Sequence, residues 1–428
     1  MVYRFSIFEI PLVISLVNSQ FWRGKEKMKN TKHLLLASLM TTALLTSCSG
    51  TEATFAPVAK ENVKVGLICL HDDSSTYDKN FIDGMNRAFD NLGLEKSQLK
   101  LATGIGEDST CYDKAVEFAN DGCQVIFADS FGHEDYLMSA AAEYPSVQFA
   151  HATGTKAHTA TNLHNYSNAF ASIYEGRYLA GVAAGMKLKE LKEAGKLKGS
   201  APKMGYVGAF SYAEVISGYT AFYLGAKSIV SDVTMEVKFT ATWYDPVLEA
   251  AAANALIANG ADLISQHADS MGAPEACETA KIPNVSYNGS TETSCPNTYI
   301  TSSLIDWTPY FEYMIGCAIE GKKIDTDWTG TISTGSVKLA SLGANAAEGT
   351  QAAIDAAKAK LEDGSLHVFD TNTFTVNGSK LTTYLADVDF DKDFTADREV
   401  IVDGYFHESE YRSAPYFDVR IDGITIAE

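Results

Sequence analysis

From Val63 onward the chain alternates short apolar runs with longer stretches of helical period. The runs VKVGLICL (63–70), CQVIFAD (123–129) and VQFAHAT (147–153) are apolar almost throughout, and LKLATGIG (99–106) is a weaker one. Between the first two, DKNFIDGMNRAFDNLG sets Phe81, Met85, Ala88 and Phe89 on one helical face, with Gly93 as the stop. STCYDKAVEFANDG and HEDYLMSAAAEYP read as further helices. Strands apolar on both faces, alternating with amphipathic helices, predict a parallel sheet covered on both sides.

The rhythm resumes after a long helix predicted from about Phe170 to Lys196. KMGYVGAF (203–210), TMEVKFTATWY, ADLISQHAD and IPNVSYNG are strands, each of the first three followed by a helix. The reading is an α/β protein of two Rossmann-like lobes with parallel sheets and a cleft between them. The N-terminal lobe is expected over 63–165 plus about 300–330. The C-terminal lobe is expected over 166–299 plus about 331–428, with a weakly patterned tail from about Asp370.

The segment before Val63 has a different character. From Met28, MKNTKHLLLASLMTTALLTSCSG has a basic start at Lys29 and Lys32, an apolar stretch from Leu34 to Leu45, and small residues before Cys48. That is a secretory signal, too short to span a membrane as a helix. Its ending, LTSC, resembles the bacterial lipobox, which implies that Cys48 is lipidated and starts the mature chain. Residues 28–47 are then the signal, 48–62 the tether from the lipid, and 1–27 an N-terminal extension from a misassigned start. The expected location is the extracytoplasmic face of a bacterial cell membrane.

The chain has 428 residues and a formal net charge of −20. That balance argues against nucleic acid and against a polybasic membrane-surface mode. Besides Cys48 there are six cysteines, and no CxxC spacing. Cys69, Cys123 and Cys317 sit in apolar patterns, and Cys277 with Cys295 is the pair best placed for a disulfide.

In doubly wound sheets, ligands bind beyond the carboxyl ends of the strands. The residues at those exits here are aromatic or short and hydrogen-bonding. Tyr77, Phe131, Phe210 and Trp243 would stack on or wall a flat ligand, while Asp78, Asp129, Asp269 and Asn288 would bond its polar edge or hydroxyls. Several of these polar residues also suit helix N-caps. A rival reading gathers His71, His133, His151 and His267 into a metal site, as in a hydrolase using His71, His133 and Asp129, but the spacing lacks the tight i, i+4 form. GxSxG, Walker A and HExxH are absent from the sequence, and GVAAG (181–185) falls inside a helix. No enzyme, cofactor or metal is expected.

Several stretches carry a resemblance: STYDKNFIDGMNRA, FADSFGHEDY, HATGTK, YEGRYLAGVAAG followed by GYVGA, TATWYDP, LISQHADSMG and VSYNGS. Up to about residue 380 the chain resembles the basic membrane lipoprotein family, the substrate-binding lipoproteins of bacterial ABC importers with the type I periplasmic-binding fold. The resemblance implies a purine nucleoside or related nucleoside ligand with permease and ATPase partners, and a monomer is expected; the alternative is a sugar ligand, or a sensor that feeds a signalling partner in place of the permease. The chain differs from the family at three places. Tyr77 and Asp78 stand where the family has Phe-Asn, and Asn288 takes the place of an Asp that bonds ribose. Asp306 and Trp307 stand where a Lys is common, which adds Trp307 to the candidate ligand contacts.

Overall fold

The computed structural model describes residues 55–160, 162–389 and 398–427. The extension, the signal, Cys48 and the tether up to residue 54 lie outside the described residues. Among the described residues no helix is long and apolar enough to cross a membrane.

The first lobe is built from β1 (Val65–Ile68), α1 (Thr76–Leu92), β2 (Leu99–Ala102), α2 (Ser109–Asn120), β3 (Val125–Ala128), α3 (Glu134–Glu143), β4 (Gln148–Ala152) and β5 (Tyr166–Ala171). Helix α1 shows how the local sequence sets the element. The Ser75 side chain accepts from the Asp78 N–H at the start. Phe81, Met85, Ala88 and Phe89 turn inward, and Gly93 at φ 61° ends the helix in the left-handed region that favours glycine. The chain then crosses to the second lobe through α4 (Ile173–Glu193). There follow β6 (Lys203–Gly208), α5 (Ala213–Ile229), β7 (Thr234–Phe239), α6 (Pro246–Ala258), β8 (Leu263–His267), α7 (Gly272–Ala280), β9 (Asn284–Tyr287) and β10 (Tyr299–Ile305). Helix α8 (Thr308–Glu320) and β11 (Asp327–Gly330) return to the first lobe, and β12 (Val337–Leu339) and α9 (Thr350–Glu362) to the second.

The first sheet runs β11-β5-β4-β3-β1-β2, with every pairing parallel. The second runs β12-β10-β9-β8-β6-β7 and ends with the strand Ile424–Ile426. It is parallel except where β12 meets β10.

The expected lobe boundaries are corrected at two points. Residues 166–171 were assigned to the second lobe, but β5 pairs with β4 in the first sheet, so the first crossover falls at Ser172. Residues from about 300 were assigned to the first lobe, but β10 pairs with β9 in the second. The Asn284 N–H donates to the Thr298 carbonyl at 2.8 Å, which ties that strand in before the chain crosses at Asp306–Trp307. In both cases strand pairing carries the chain one element further before it changes lobe.

Trp307 is also corrected. It is 1% exposed and stacks on Phe81 at 4.3 Å, with Phe127, Tyr310 and Phe311 around it. It anchors the contact of α1 with α8 in the core and does not face the cleft. The proposed Cys277–Cys295 bridge is absent: all six described cysteines are buried free thiols, and Cys277 Sγ faces Asn284 Nδ2 at 3.8 Å.

Candidate functional site

The carboxyl ends of both sheets face one another, and the loops there touch across the cleft. The Thr76 N–H donates to the Asp269 carbonyl at 3.1 Å, and Asn80 Nδ2 to Asn288 Oδ1 at 3.3 Å. Phe131 of the first lobe stacks on Tyr212 of the second with ring centres 5.1 Å apart, and His71 lies 5.2 Å from Tyr244. The lobes are therefore closed on each other. Between them lies a narrow cavity, about 360 Å³ when the open solvent at its mouth is included.

The first lobe contributes Tyr77, Asp78 and Phe131 to its lining, and the second Trp243, Asp269 and Glu214. The Tyr77 hydroxyl donates to the Asp129 carbonyl oxygen at 2.8 Å, which fixes the ring as a wall. Phe210 stands one row back. It packs on Tyr212 at 5.1 Å and edge-on to Trp243 at 5.0 Å, so it positions the wall rather than forming it. Three non-glycine residues at strand exits hold φ near 60°: Thr153, Ala241 and Asn288. For β-branched Thr153, which lines the cavity, that conformation is strained, and such strain gathers at ligand sites.

Asp78 and Asp129 form a coupled pair. Asp78 accepts from the His71 N–H at 2.8 Å and the Ser75 hydroxyl at 2.6 Å. Burial pushes its carboxyl up, but these bonds outweigh burial and bring it below the usual range. Asp129 is fully buried, and its Oδ1 accepts from the Leu70 N–H at 3.1 Å. Burial first, and then the Asp78 charge, push its carboxyl well up. As a carboxylate Asp129 would leave Oδ2 without a donor; protonated, it donates to Asp78. The two acids therefore carry about one charge between them. Asp269 is also pushed well up, by burial and then by the Asp78, Glu249 and Glu214 charges.

Sequence reasoning passed over a second layer behind Tyr287. Arg177 on α4 is fully buried, lies 3.7 Å over the Tyr287 ring and donates to the Gln266 carbonyl at 2.8 Å. His267 is held neutral by burial, aided by Arg177 and opposed by Glu214. Its Nε2 lies 3.3 Å from Glu214 Oε1, so the neutral ring donates to that carboxylate. Arg177 sits mid-helix, far in sequence from any strand exit, and no local pattern marks it.

One expectation is corrected. Asn288 is buried, spends its Oδ1 on Asn80 across the cleft and does not line the cavity. The histidines do not converge. His133 Nε2 meets the Ile105 carbonyl at 3.0 Å, and His151 Nε2 meets the Ser130 carbonyl at 2.7 Å. Burial holds both rings neutral, His151 at about 3. His71 lies at the cleft 3.5 Å from Asp78, and His158 packs 3.5 Å from Asp327 at the edge of the first sheet. Among the described residues, the group whose atoms could share a metal is Cys69, Asp78 and Asp129, with no histidine.

Residues 63–366 match the family model described as Bmp, the PnrA-like ABC transporter substrate-binding proteins. The chain belongs to this family. It is similar to a purine-binding protein of Brucella abortus, 31% identical over 73% of this chain and 84% of that one. It is 24% identical to the nucleoside-binding protein BmpA of Lactococcus lactis, over 59% and 68%. A putative glucose-binding protein of Haloferax volcanii is 32% identical over 60% and 62%. In fold it is similar to solute-binding proteins of Aeropyrum pernix (TM-score 0.59, 16% identity, 72% of this chain and 93% of that one) and Conexibacter woesei (TM-score 0.56, 20% identity, 71% and 98%). As a Bmp protein it is an extracytoplasmic substrate-binding component of an ABC transporter, and its family relatives are binding proteins rather than enzymes.

Proposed function

We propose that this Bmp protein captures a purine-type nucleoside in the closed cleft and hands it to the permease. The observation that carries this reading is the cavity itself. Tyr77, Phe131 and Trp243 offer ring faces to a flat ligand, while Asp78 and Asp269 reach its polar edge. The Asp129 proton keeps the first-lobe carboxyls close to singly charged, so a neutral heterocycle with both donors and acceptors suits the site better than an anion. The purine- and nucleoside-binding relatives agree with this class.

In this reading the open form closes by bending at the crossovers near Ser172, Asp306 and Thr331, and closure makes the Thr76–Asp269 and Asn80–Asn288 contacts. The lipid on Cys48 holds the protein at the outer face of the membrane, and the protein works as a monomer beside its permease. Mass spectrometry of the native protein checks the anchor: a diacylglyceryl adduct on a chain starting at Cys48 is expected.

A thermal-shift screen with nucleosides, bases and sugars tests the ligand class. A ligand at 100 times its Kd stabilises by about 2.7 kcal/mol, a visible shift. A sugar that shifts the melting point where no purine does would favour the ligand named for the Haloferax relative.

A further inference from the structure

A C-terminal segment outside the family match joins the two lobes. The match ends at residue 366, and the described residues 367–389 and 398–427 follow it. Within them Phe417 stacks on Phe369 at 4.2 Å and packs edge-on to Phe406 at 4.8 Å. Arg412 is buried and donates to the carbonyls of Val388, Ala414 and Pro415, which stiffens the run that follows it. The Tyr416 hydroxyl donates to the His407 carbonyl and fastens the same run from its other side.

That run is gripped at both ends. At one end Ser413 donates through its N–H and its hydroxyl to Asp327 Oδ1, each at 2.9 Å, and the Thr329 hydroxyl donates to the Ser409 carbonyl at 3.4 Å. Asp327 and Thr329 belong to β11, the last strand of the first lobe before the crossover near Thr331. At the other end Arg420 donates to Ser211 Oγ at 2.6 Å and to the Tyr219 hydroxyl, both in the second lobe. Ile424–Ile426 then pairs in parallel with β7, and the Ala427 N–H donates to the Val237 carbonyl at 2.7 Å. Between its grips the run walls a wide chamber beside the cleft, lined by Phe131 and Thr155 of the first lobe and Tyr212 of the second.

The two grips differ in kind. The second-lobe grip continues into a sheet, whereas the first-lobe grip rests on hydrogen bonds at Asp327 and Thr329 alone. Hinge opening carries Asp327 with one lobe and Ser211 with the other. Only six residues lie between Ser413 and Arg420, and even fully extended they reach at most about 25 Å.

We propose that residues 412–427 form a strap that limits how far the lobes part. The strap stays with the second lobe through its pairing with β7 and checks the first lobe through Asp327. An open form held short in this way has fewer conformations to lose on closure, so ligand is captured at a lower ordering cost. The strap acts whichever ligand fills the cleft.

Distances between spin labels, measured by double electron–electron resonance on the full chain without ligand, test it. The labels go on Asp113→Cys in α2 and Asn254→Cys in α6; both positions are exposed, whereas the six described native cysteines are buried. Two changes free the strap in different ways. Asp327→Ala removes the first-lobe acceptor. Four glycines inserted after the exposed Asp418 leave the grips at both ends in place and add up to about 13 Å of reach. The labelled chain should give one narrow distance distribution, and each change should extend it to distances several ångströms longer. Melting curves check folding, and if Asp327→Ala unfolds, the insertion decides alone. A distribution that the insertion leaves unchanged overturns the strap, and because no ligand is present that result leaves the nucleoside reading standing.

Discussion

Asp78 and Asp129 show how burial divides two identical side chains. Asp129 holds its proton in the folded protein well above the usual value for Asp, about 4. A raised folded value stabilises below the unfolded value, and that contribution is lost as pH rises. Asp129→Asn carries no proton to lose. Melting curves between pH 5 and 9 should therefore show the variant gaining on wild type as pH rises. Glu408 offers a second test on the same sign. It is buried in the C-terminal segment with its carboxyl pushed up to about 7. Glu408→Gln should be near neutral at pH 4 and stabilising at pH 8, by on the order of 3 kcal/mol. Trp307 and Trp243 looked alike at their strand exits, yet one is core and the other wall. Denaturant titration should show Trp307→Ala losing about 3–5 kcal/mol, the cost of a large core truncation. Trp243→Ala should weaken ligand binding with a smaller loss of stability.

At the scale of elements, α4 and α5 pack backbone against backbone. A Cβ on Gly181 would run into the Phe222 carbonyl oxygen, and one on Gly225 into the Tyr178 carbonyl oxygen. The glycines of GVAAG are thus there for backbone contact between helices. That contact also holds Arg177, on the same α4 stretch, behind Tyr287. Gly225→Ala should destabilise by about 1–3 kcal/mol through overpacking, measured by denaturant titration. It should weaken ligand binding further, because Arg177 and Tyr287 shift with the helices.

At the scale of the whole molecule, closure is held by few direct polar contacts between the exit loops, so ligand must supply part of its free energy. Asn80→Ala removes one contact that the open form lacks. It should leave the apo melting point unchanged and raise the ligand Kd by about fivefold, as calorimetry would read, because the closed state becomes less populated. The C-terminal segment adds a constraint outside the family pattern, since it grips Asp327 in one lobe and Ser211 in the other.

Much of this was legible in the order of residues. The apolar runs at 63–70, 123–129 and 203–210 and the helical faces between them dictate parallel sheets with helices on both sides, because each pattern is local and repeats. The strand-exit rule likewise places Tyr77, Asp78, Phe131, Trp243 and Asp269 at the mouth of the cleft. Other features required the third dimension. Which sheet receives 166–171 and 299–305 depends on pairing partners more than a dozen residues away. Whether Trp307 packs or faces ligand depends on where Phe81 lies. The charge on Asp129 depends on burial and on Asp78, and the weakly patterned tail becomes a wall only because both lobes hold it. Local periodicity specifies elements; burial and long-range contact decide which of their side chains are left to meet a ligand.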